Sequence, residues 1–375
     1  MELFSCQEIG SLSKPRWLVA APKRGRATEA EVENAVHWGK LLGVEGYEKL
    51  IEVLKGGDLK SRKAELRDWA CVYGLRFLEA AGLDLVYDGE QRRVEMYEYP
   101  IRRMQGFRFL GNVRSFDNKY YLKASCMERV RFKEAYHLYE FEFVKERALK
   151  NIKVPLTGPY TLADWSFNEH YQRLHGGVSD LRRRKLEAKR DLVLDLAEQV
   201  IRPNIQALQK AGAEVIQIDE PAATTHPEEV DIFVEGFNAA TKGIRSKLTA
   251  HICYSDYRLL YPEVLEMRRC SQFAWEFANR DDSFGDGYTP LELFEEYNDG
   301  REVGLGVVDV HVSRVEKPEE VRDRILRAAK ILQDADRIYV NPDCGLRTRT
   351  WKVAFQKLRN MVEGASLARK VYEGA

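Results

Sequence analysis

Residues 182–219, RRRKLEAKRDLVLDLAEQVIRPNIQALQKAGAEVIQID, form the stretch that decides the fold. Apolar residues recur at three- and four-residue spacing as far as Gly212, which predicts an amphipathic helix. The short apolar run Val215–Asp219 follows almost at once and predicts a buried strand. An amphipathic helix that leads into a buried strand is the repeating unit of parallel α/β folds.

The same alternation of helix and strand extends in both directions from this stretch. Six further strands are predicted at residues 83–88, 152–157, 248–253, 273–276, 304–309 and 338–341, and a short first strand ends near Ile9. Helices are predicted at residues 131–151, 227–242 and 317–334, and residues 16–60 are expected to be helical. Eight strands, most followed by a helix, predict a single (β/α)₈ barrel of the TIM type across residues 1–375. An open, doubly wound parallel sheet is the alternative.

One region, residues 91–126, interrupts this rhythm. It is rich in aromatic residues and arginine, and its pattern indicates a strand-like meander. It follows the second predicted strand, so we expect an insertion at the C-terminal face of the barrel, where substrates bind.

The formal charge of the chain is balanced, with 59 lysine plus arginine and 59 aspartate plus glutamate residues among 375. This balance argues against a protein that binds nucleic acid. No run approaches the roughly 20 apolar residues that cross a membrane, and the N-terminal segment has no secretory pattern. The six scattered cysteines are typical of reduced thiols in a cytoplasmic protein, where some can serve as metal ligands.

A candidate metal site is spread over three predicted strand ends. His251 and Cys253 lie two residues apart on one strand, so their side chains leave the same face. Such a pair alone is more often a pair of packing residues than a pair of ligands. Cys344 and Glu276 end two other strands, and strand ends of a barrel share one rim. Two thiolates, one imidazole and one carboxylate suit zinc better than an oxygen-seeking ion.

A fourth predicted strand end presents Asp309 and His311, again two residues apart on one face. One interpretation is a histidine whose hydrogen bonds are satisfied in the lip of the barrel. The other is an acid, or a residue that orients a ligand, beside the metal, since histidine titrates near neutral pH.

Seven segments, taken in order, resemble the catalytic C-terminal half of cobalamin-independent methionine synthase. They are IGS at 9–11, DGE at 88–90, LTGP at 156–159 with WSF at 165–167, QIDEP at 217–221, HICYS at 251–255, VDVH at 308–311 and VNPDCGL at 340–346. The set spans nearly the whole chain. The resemblance implies a (β/α)₈ barrel in which His251, Cys253, Glu276 and Cys344 hold a zinc ion that serves the methylation of homocysteine to methionine.

The resemblance also implies roles for the substrate-binding residues. Homocysteine would be bound by Ile9, Gly10, Ser11, Glu90 and Asp219. Groups near Ser11 would meet the carboxylate of homocysteine, while Glu90 and Asp219 would take its ammonium group. This division is physically reasonable because buried charges need partners of opposite sign.

The methyl donor is the less determined substrate. His311, with Asp309 beside it, resembles the catalytic histidine of the family, and Trp165 matches the aromatic residue that stacks on the pterin of a folate donor. The chain has no counterpart of the N-terminal half found in long family members, and resembles the short "core" form. We therefore expect a corrinoid donor, either methylcobalamin or a corrinoid protein. Methyltetrahydrofolate is the alternative, and Trp165 favours it.

Three other functions fit parts of the sequence. A zinc-thiolate methyltransferase of the same superfamily could act on another thiol. A metal-free, decarboxylase-like barrel could bind a tetrapyrrole through arginines of the insertion, which are otherwise interpreted as a solvated loop: Arg102, Arg103, Arg108 and Arg114. A zinc-stabilised binding module is disfavoured because structural zinc sites generally use close C-x₂-C pairs.

Overall fold

The computed structural model describes residues 2–114 and 120–374. The strands of this part of the chain are β1 (Leu85–Val86), β2 (Met104–Arg114), β3 (Tyr120–Phe132), β4 (Asn151–Thr157), β5 (Phe167–Asn168), β6 (Val215–Asp219), β7 (Lys247–Ile252), β8 (Gln272–Trp275), β9 (Glu302–Val308) and β10 (Ile338–Pro342). The α-helices are α1 (Arg16–Val19), α2 (Ala21–Arg24), α3 (Glu29–Leu41), α4 (Tyr47–Gly56), α5 (Lys63–Ala81), α6 (Glu98–Ile101), α7 (Leu138–Lys145), α8 (Pro159–Asp164), α9 (Glu169–Leu174), α10 (Leu181–Leu196), α11 (Arg202–Lys210), α12 (Val230–Thr241), α13 (Ala278–Phe284), α14 (Glu292–Glu296), α15 (Pro318–Leu332) and α16 (Trp351–Glu373).

Seven strands form one parallel sheet in the order β1, β4, β6, β7, β8, β9, β10. Residues 6 and 7 join its two edges, because Cys6 pairs with Val340 of β10 and Gln7 pairs with Leu85 of β1. The backbone N–H of Gln7 donates to the Val340 carbonyl at 2.8 Å, and the N–H of Glu8 donates to the Leu85 carbonyl at 3.2 Å. The predicted (β/α)₈ barrel is therefore confirmed, and an open sheet is excluded because its edges would remain unpaired.

The helix and the strand predicted within residues 182–219 are both present. Strand β6 has the predicted bounds, whereas the second barrel strand, Leu85–Val86, is shorter than expected. The long helix is built from α10 and α11, joined by a π-helical turn at Ala197–Ile201. Pro203 lies two residues after this turn, and its missing N–H removes one bond from the helical ladder. Asp180 begins α10 by accepting a hydrogen bond from the Arg182 N–H at 2.9 Å.

The helix predicted at residues 131–151 is wrong in its first part. Residues 131 and 132 belong to β3, and the helix α7 spans only Leu138–Lys145. Strands β2 and β3 pair antiparallel into a long hairpin, here called the arm, and β3 also pairs with β5. Cys126 and Val130 lie on the buried side of β3; their spacing of four residues fits a helix as well as a strand. Residues 115–119, part of the predicted insertion, lie outside the described residues.

The barrel interior is partly polar. Gln7 Nε2 donates to Gln272 Oε1 at 2.9 Å and to Asn341 Oδ1 at 3.1 Å, so three strands are linked across the barrel axis. A Cβ atom at Gly304 would lie 2.6 Å from Asn341 Oδ1, which explains the glycine there. Among the residues that the structure describes, no helix has the length and apolarity needed to cross a membrane.

Candidate active site

Three predicted ligands meet at the C-terminal ends of the barrel strands. His251 lies on β7, Cys253 directly follows that strand, and Cys344 follows β10. One ligand atom from each residue lies within 4.8 Å of the other two. The two sulfur atoms are 3.8 Å apart. Residues separated by 91 positions in the sequence are thus brought into one donor group.

The ring of His251 is held in one orientation and one tautomer. Its Nδ1–H donates to the Ala274 carbonyl on the neighbouring strand β8 at 2.9 Å, since a carbonyl oxygen can only accept. Its Nε2 atom is buried and has no hydrogen-bond partner within the described part of the chain. This is the arrangement of a metal-ligating histidine, in which a hydrogen bond at one nitrogen directs the lone pair of the other.

The electrostatics of the donor group favour a thiolate. Hydrogen bonding to Cys253 holds the pKa of Cys344 well below its ordinary value. Burial acts in the opposite direction, and His251 lowers this pKa further. Hydrogen bonding to Cys344 and burial raise the pKa of Cys253. Burial would lower the pKa of His251, but the nearby Cys344 raises it. The shifts of the two thiols are opposite in direction, which favours ionisation of Cys344 over that of Cys253.

The donor group fits zinc. A tetrahedral ion with Zn–S bonds of about 2.3 Å separates two sulfur ligands by about 3.8 Å, the distance found between Cys253 and Cys344. The buried, unpartnered Nε2 of His251 supplies a third donor of the type that zinc prefers.

Glu276 lies beside this group without being part of its closest set. Its carboxylate accepts hydrogen bonds from Asn279 Nδ2 at 2.8 Å and from the Tyr254 N–H at 3.3 Å. Burial would raise the pKa of Glu276, but the interaction with His311 lowers it. The structure thus places the fourth predicted ligand at the same rim, held by one neighbour in the loop after β7 and another at the start of α13.

His311 is oriented by Tyr254 and Glu276 rather than by Asp309. The Tyr254 hydroxyl lies 2.6 Å from His311 Nδ1, and Glu276 Oε1 lies 3.6 Å from His311 Nε2. Asp309 Oδ1 instead accepts a hydrogen bond from the backbone N–H of His311 at 2.7 Å. Burial would lower the pKa of His311, but Glu276 raises it above its ordinary value. The i, i+2 spacing correctly indicates proximity, while the ring itself points to other partners.

Two residues of the quoted motifs have structural roles that the sequence argument missed. Tyr254 has a backbone φ of 54°, which turns the chain directly after Cys253 and presents the hydroxyl to His311. Asp343 accepts the N–H groups of Phe277 at 3.0 Å and Asn279 at 2.7 Å, and so ties the Cys344 loop to the segment after Glu276. Their positions beside Cys253 and Cys344 in the sequence are the signal that could have identified them.

The predicted substrate-binding segment, residues 9–11, lies between Glu90 and the Cys344 loop. A Cβ atom at Gly10 would lie 3.3 Å from Glu90 Oε1, and one at Gly345 would lie 2.7 Å from Ser11 Oγ. The carbonyl of Ile9 accepts a hydrogen bond from Gln217 Nε2 at 2.5 Å. These close approaches bring the predicted substrate-binding residues to the same rim as the donor group.

The two predicted acidic residues differ in their partners. Glu90 has a backbone φ of 57° and accepts a hydrogen bond from Arg93 Nη1 at 3.1 Å. Asp219 ends β6, and no cationic side chain of the described residues is bonded to it; burial raises its pKa to about 7. Asp219 therefore has the stronger need for a positively charged ligand.

Trp165 lies where the arm meets the barrel. Its ring centroid is 6.0 Å from that of Tyr121 on β3 and 6.3 Å from that of Tyr97. The Tyr97 hydroxyl lies 2.8 Å from Ser166 Oγ and accepts the Ala124 N–H at 3.0 Å, which attaches the arm to this corner. The indole is therefore half-buried in an aromatic cluster that the arm completes.

A second group of potential ligands, Asp164, His226 and Glu229, lies outside this rim. The ammonium group of Lys189 donates to Asp164 at 2.6 Å and to Glu229. Both carboxylates are thus ion-paired with one cation of the chain, so this group is an ion-pair cluster.

Comparisons with known proteins agree with the fold and identify a family. Residues 63–367 match the family model described as the catalytic domain of cobalamin-independent synthase. The methionine synthase of Thermococcus kodakarensis is 38% identical over 366 residues, which cover 96% of this chain and 92% of that protein. The methionine synthase of Thermoplasma volcanium is 36% identical over 382 residues, covering 96% and 97%. The solved B12-independent methionine synthase from Shewanella sp. W3-18-1, in complex with selenomethionine, superposes with a TM-score of 0.77 at 23% identity, and all of both chains is covered.

Proposed function

The chain belongs to the cobalamin-independent methionine synthase family, and on that premise we propose that it uses a zinc ion to methylate the thiol of homocysteine, forming methionine. The observation that carries the proposal is the group of one imidazole and two sulfur atoms, in which His251 and Cys253 are buried and Cys344 is half-buried. The Nε2 atom of His251 has no hydrogen-bond partner among the described residues. Residues 1–375 are proposed to act as one catalytic barrel, with the arm at its mouth.

His251, Cys253 and Cys344 would hold the zinc ion, and Glu276 is proposed as an exchangeable fourth ligand. When bound, zinc would supply the positive charge that keeps a substrate thiol ionised at neutral pH. The interactions of Glu276 with Asn279 and with the Tyr254 N–H would hold its carboxylate whenever it leaves the metal.

The amino-acid end of homocysteine carries one charge of each sign, and the residues at the rim offer partners for both. Asp219 is proposed as the main partner of the ammonium group, because burial leaves its carboxylate in need of a cation. Glu90 would contribute beside it, although Arg93 already balances part of its charge. Backbone and hydroxyl groups near Ser11 would bind the carboxylate.

Methyl transfer forms a bond between the homocysteine sulfur and the methyl carbon and breaks the bond between that carbon and the donor. The bonding electron pair stays with the donor. A folate donor leaves as an amine anion that needs a proton. His311 would provide it, and the contacts of its ring with Tyr254 and Glu276 support this role. A corrinoid keeps the pair on its metal and needs no proton, so His311 would matter less.

We propose a corrinoid as the methyl donor. The half-buried indole of Trp165, which would stack on a pterin, already packs against Tyr97 and Tyr121. The surface left for a flat folate ring is therefore reduced. The second candidate is a methylated folate, which the description of the matched family model as a cobalamin-independent synthase favours.

The donor is tested by assaying methionine formation by zinc-loaded protein with each donor separately. We expect turnover with methylcobalamin and none with methyltetrahydrofolate, whatever the length of its glutamate tail. Trp165→Ala should change the KM for the true donor and leave that for homocysteine within about twofold. Turnover with the folate alone would reverse the assignment. Methylation of another thiol in preference to homocysteine would move the acceptor instead.

A further inference from the structure

Gln217 links two predicted substrate-binding residues, and no role has been assigned to it above. It lies on β6, fully buried, two residues before Asp219 and on the same face. Its Nε2 atom donates to the Ile9 carbonyl at 2.5 Å and to Asp219 Oδ1 at 2.7 Å. One amide group therefore contacts two segments that lie 208 residues apart.

The orientation of this amide is fixed by its partners. The Ile9 carbonyl can only accept a hydrogen bond, so the NH₂ end of Gln217 must face it. Both hydrogens of that NH₂ group are then used by Ile9 and Asp219. The other end, Oε1, is buried and has no hydrogen-bond partner within the described part of the chain. A glutamine that only filled the barrel would be more stable with hydrogen bonds at both ends of its amide. Here only the NH₂ end is bonded, so the side chain serves the two acceptors at the rim, Ile9 and Asp219.

We infer that Gln217 is a positioning residue that holds the Ile9 carbonyl and the Asp219 carboxylate together so that both accept hydrogen bonds from the ammonium group of the substrate. Two acceptors bound to one nitrogen lie close to each other, and each keeps a lone pair for a second donor. An ammonium group carries three hydrogens and can reach both. This inference rests on the proposed function, and it assigns recognition of the amino group to the pair that Gln217 holds.

The test compares two thiols that differ only in the amino group: L-homocysteine and 4-mercaptobutyrate. Gln217→Met keeps the length of the side chain and removes both hydrogen bonds. We expect its preference for homocysteine, measured as the ratio of kcat/KM values, to fall at least tenfold. The loss should come from a higher KM for homocysteine, with turnover of 4-mercaptobutyrate within threefold of wild type. Gln217→Glu donates at most one hydrogen bond, so its preference for homocysteine should lie between those of wild type and Gln217→Met.

Two controls separate positioning from folding. Gln272→Met removes another buried amide of the barrel interior, one that bonds to Gln7 and not to the rim, and should leave the preference unchanged. In an Asp219→Asn background, adding Gln217→Met should lower the preference less than threefold further. Zinc content should be equal in all variants.

Equal losses for both thiols, or an unchanged preference in Gln217→Met, would overturn the inference. Wild-type protein that methylates 4-mercaptobutyrate as efficiently as homocysteine would overturn it without any variant. Wild-type protein that methylates neither thiol with either donor would instead refute the proposed function, so the two failures are distinguishable.

Discussion

Cys344 contributes one of the two sulfur atoms that lie 3.8 Å apart at the rim, and its low pKa makes it the thiolate of the group. Loss of a hydrogen-bond partner of a metal ligand lowers metal affinity about 10- to 100-fold. We predict that Cys344→Ser, which replaces a ligand itself, lowers zinc affinity by more than this. Methionine formation should fall at least as far. Metal analysis and the methionine assay on the same sample measure both effects. Cys270→Ser, at another buried cysteine, is the matched control and should retain zinc and activity.

His311 allows a prediction that depends on the donor. With a folate donor, His311→Gln should lower kcat by about 10²- to 10⁴-fold, because the leaving group loses its acid. With a corrinoid donor the loss should stay below about tenfold, since no proton is then required. Zinc content should not change in either case. Tyr254→Phe, which removes the 2.6 Å contact to Nδ1, should give a smaller effect in the same direction. A full loss with methylcobalamin would contradict the assigned role.

His137 makes stability depend on pH. Burial and Arg93 lower the pKa of this histidine from 6.5 to about 4, although Glu140 beside it acts in the opposite sense. A histidine with a depressed folded-state pKa contributes stability that is present above pH 6.5 and lost as the pH falls towards 4. Complete protonation would cost up to about 3 kcal/mol. In thermal melts between pH 7 and 4.5, the Tm of His137→Gln should therefore fall less steeply with falling pH than that of wild type. The exposed His37→Gln should follow wild type, and a His137→Gln curve parallel to wild type would refute the account.

How far the site could be predicted from the sequence depends on whether the contacts of each residue follow from its position on a strand. His251 and Cys253 are two apart on a strand, so their common face follows from the alternation of side chains. Their approach to Cys344 follows from the shared rim of a barrel. The Tyr254 hydroxyl at His311 could not be predicted, because it depends on a single positive φ and on two loops 57 residues apart. The contact of Gln217 could not be predicted either, because its partner Ile9 lies 208 residues away in the sequence.

At the scale of elements, the arm is attached to the barrel through Tyr97. Its hydroxyl contacts Ser166 and accepts the Ala124 N–H of β3. Tyr97→Phe leaves that buried N–H without its partner, which should cost about 1–3 kcal/mol of local stability. Hydrogen exchange should show faster exchange in β2 and β3, with protection of the barrel strands unchanged. Tyr139→Phe, at an exposed tyrosine outside this cluster, is the control. Equal protection of the arm in Tyr97→Phe and wild type would contradict this anchoring role.

The elements themselves differ in how well the sequence predicts them. Strands β4, β6, β7, β8, β9 and β10 begin and end within two residues of expectation, because strands buried on both faces read as continuous apolar runs. The helix expected at residues 131–151 fails at its start, because β3 continues to Phe132 through pairing with β2. Pairing between two strands of an arm is a tertiary effect, which overrides local propensity.

The whole molecule joins three parts of the chain at one rim. Residues 6 and 7 close the barrel between β1 and β10, and this closure brings residues 9–11 beside Cys344. The ends of β7 and β10, which are separated by two strands in the sheet, supply the remaining ligands. A zinc ion would therefore connect segments that only the closed barrel brings together. Metal binding and folding of the rim should be linked for this reason.

Methionine formation as a function of added zinc tests the central claim most directly. Metal-stripped protein, shown by circular dichroism to remain folded, is titrated with zinc and assayed with homocysteine and the active donor. The rate should be negligible without metal, rise in proportion to zinc, and level off at one equivalent per chain. The same rate in stripped and loaded protein, or no methionine at any zinc concentration with either donor, would contradict the account.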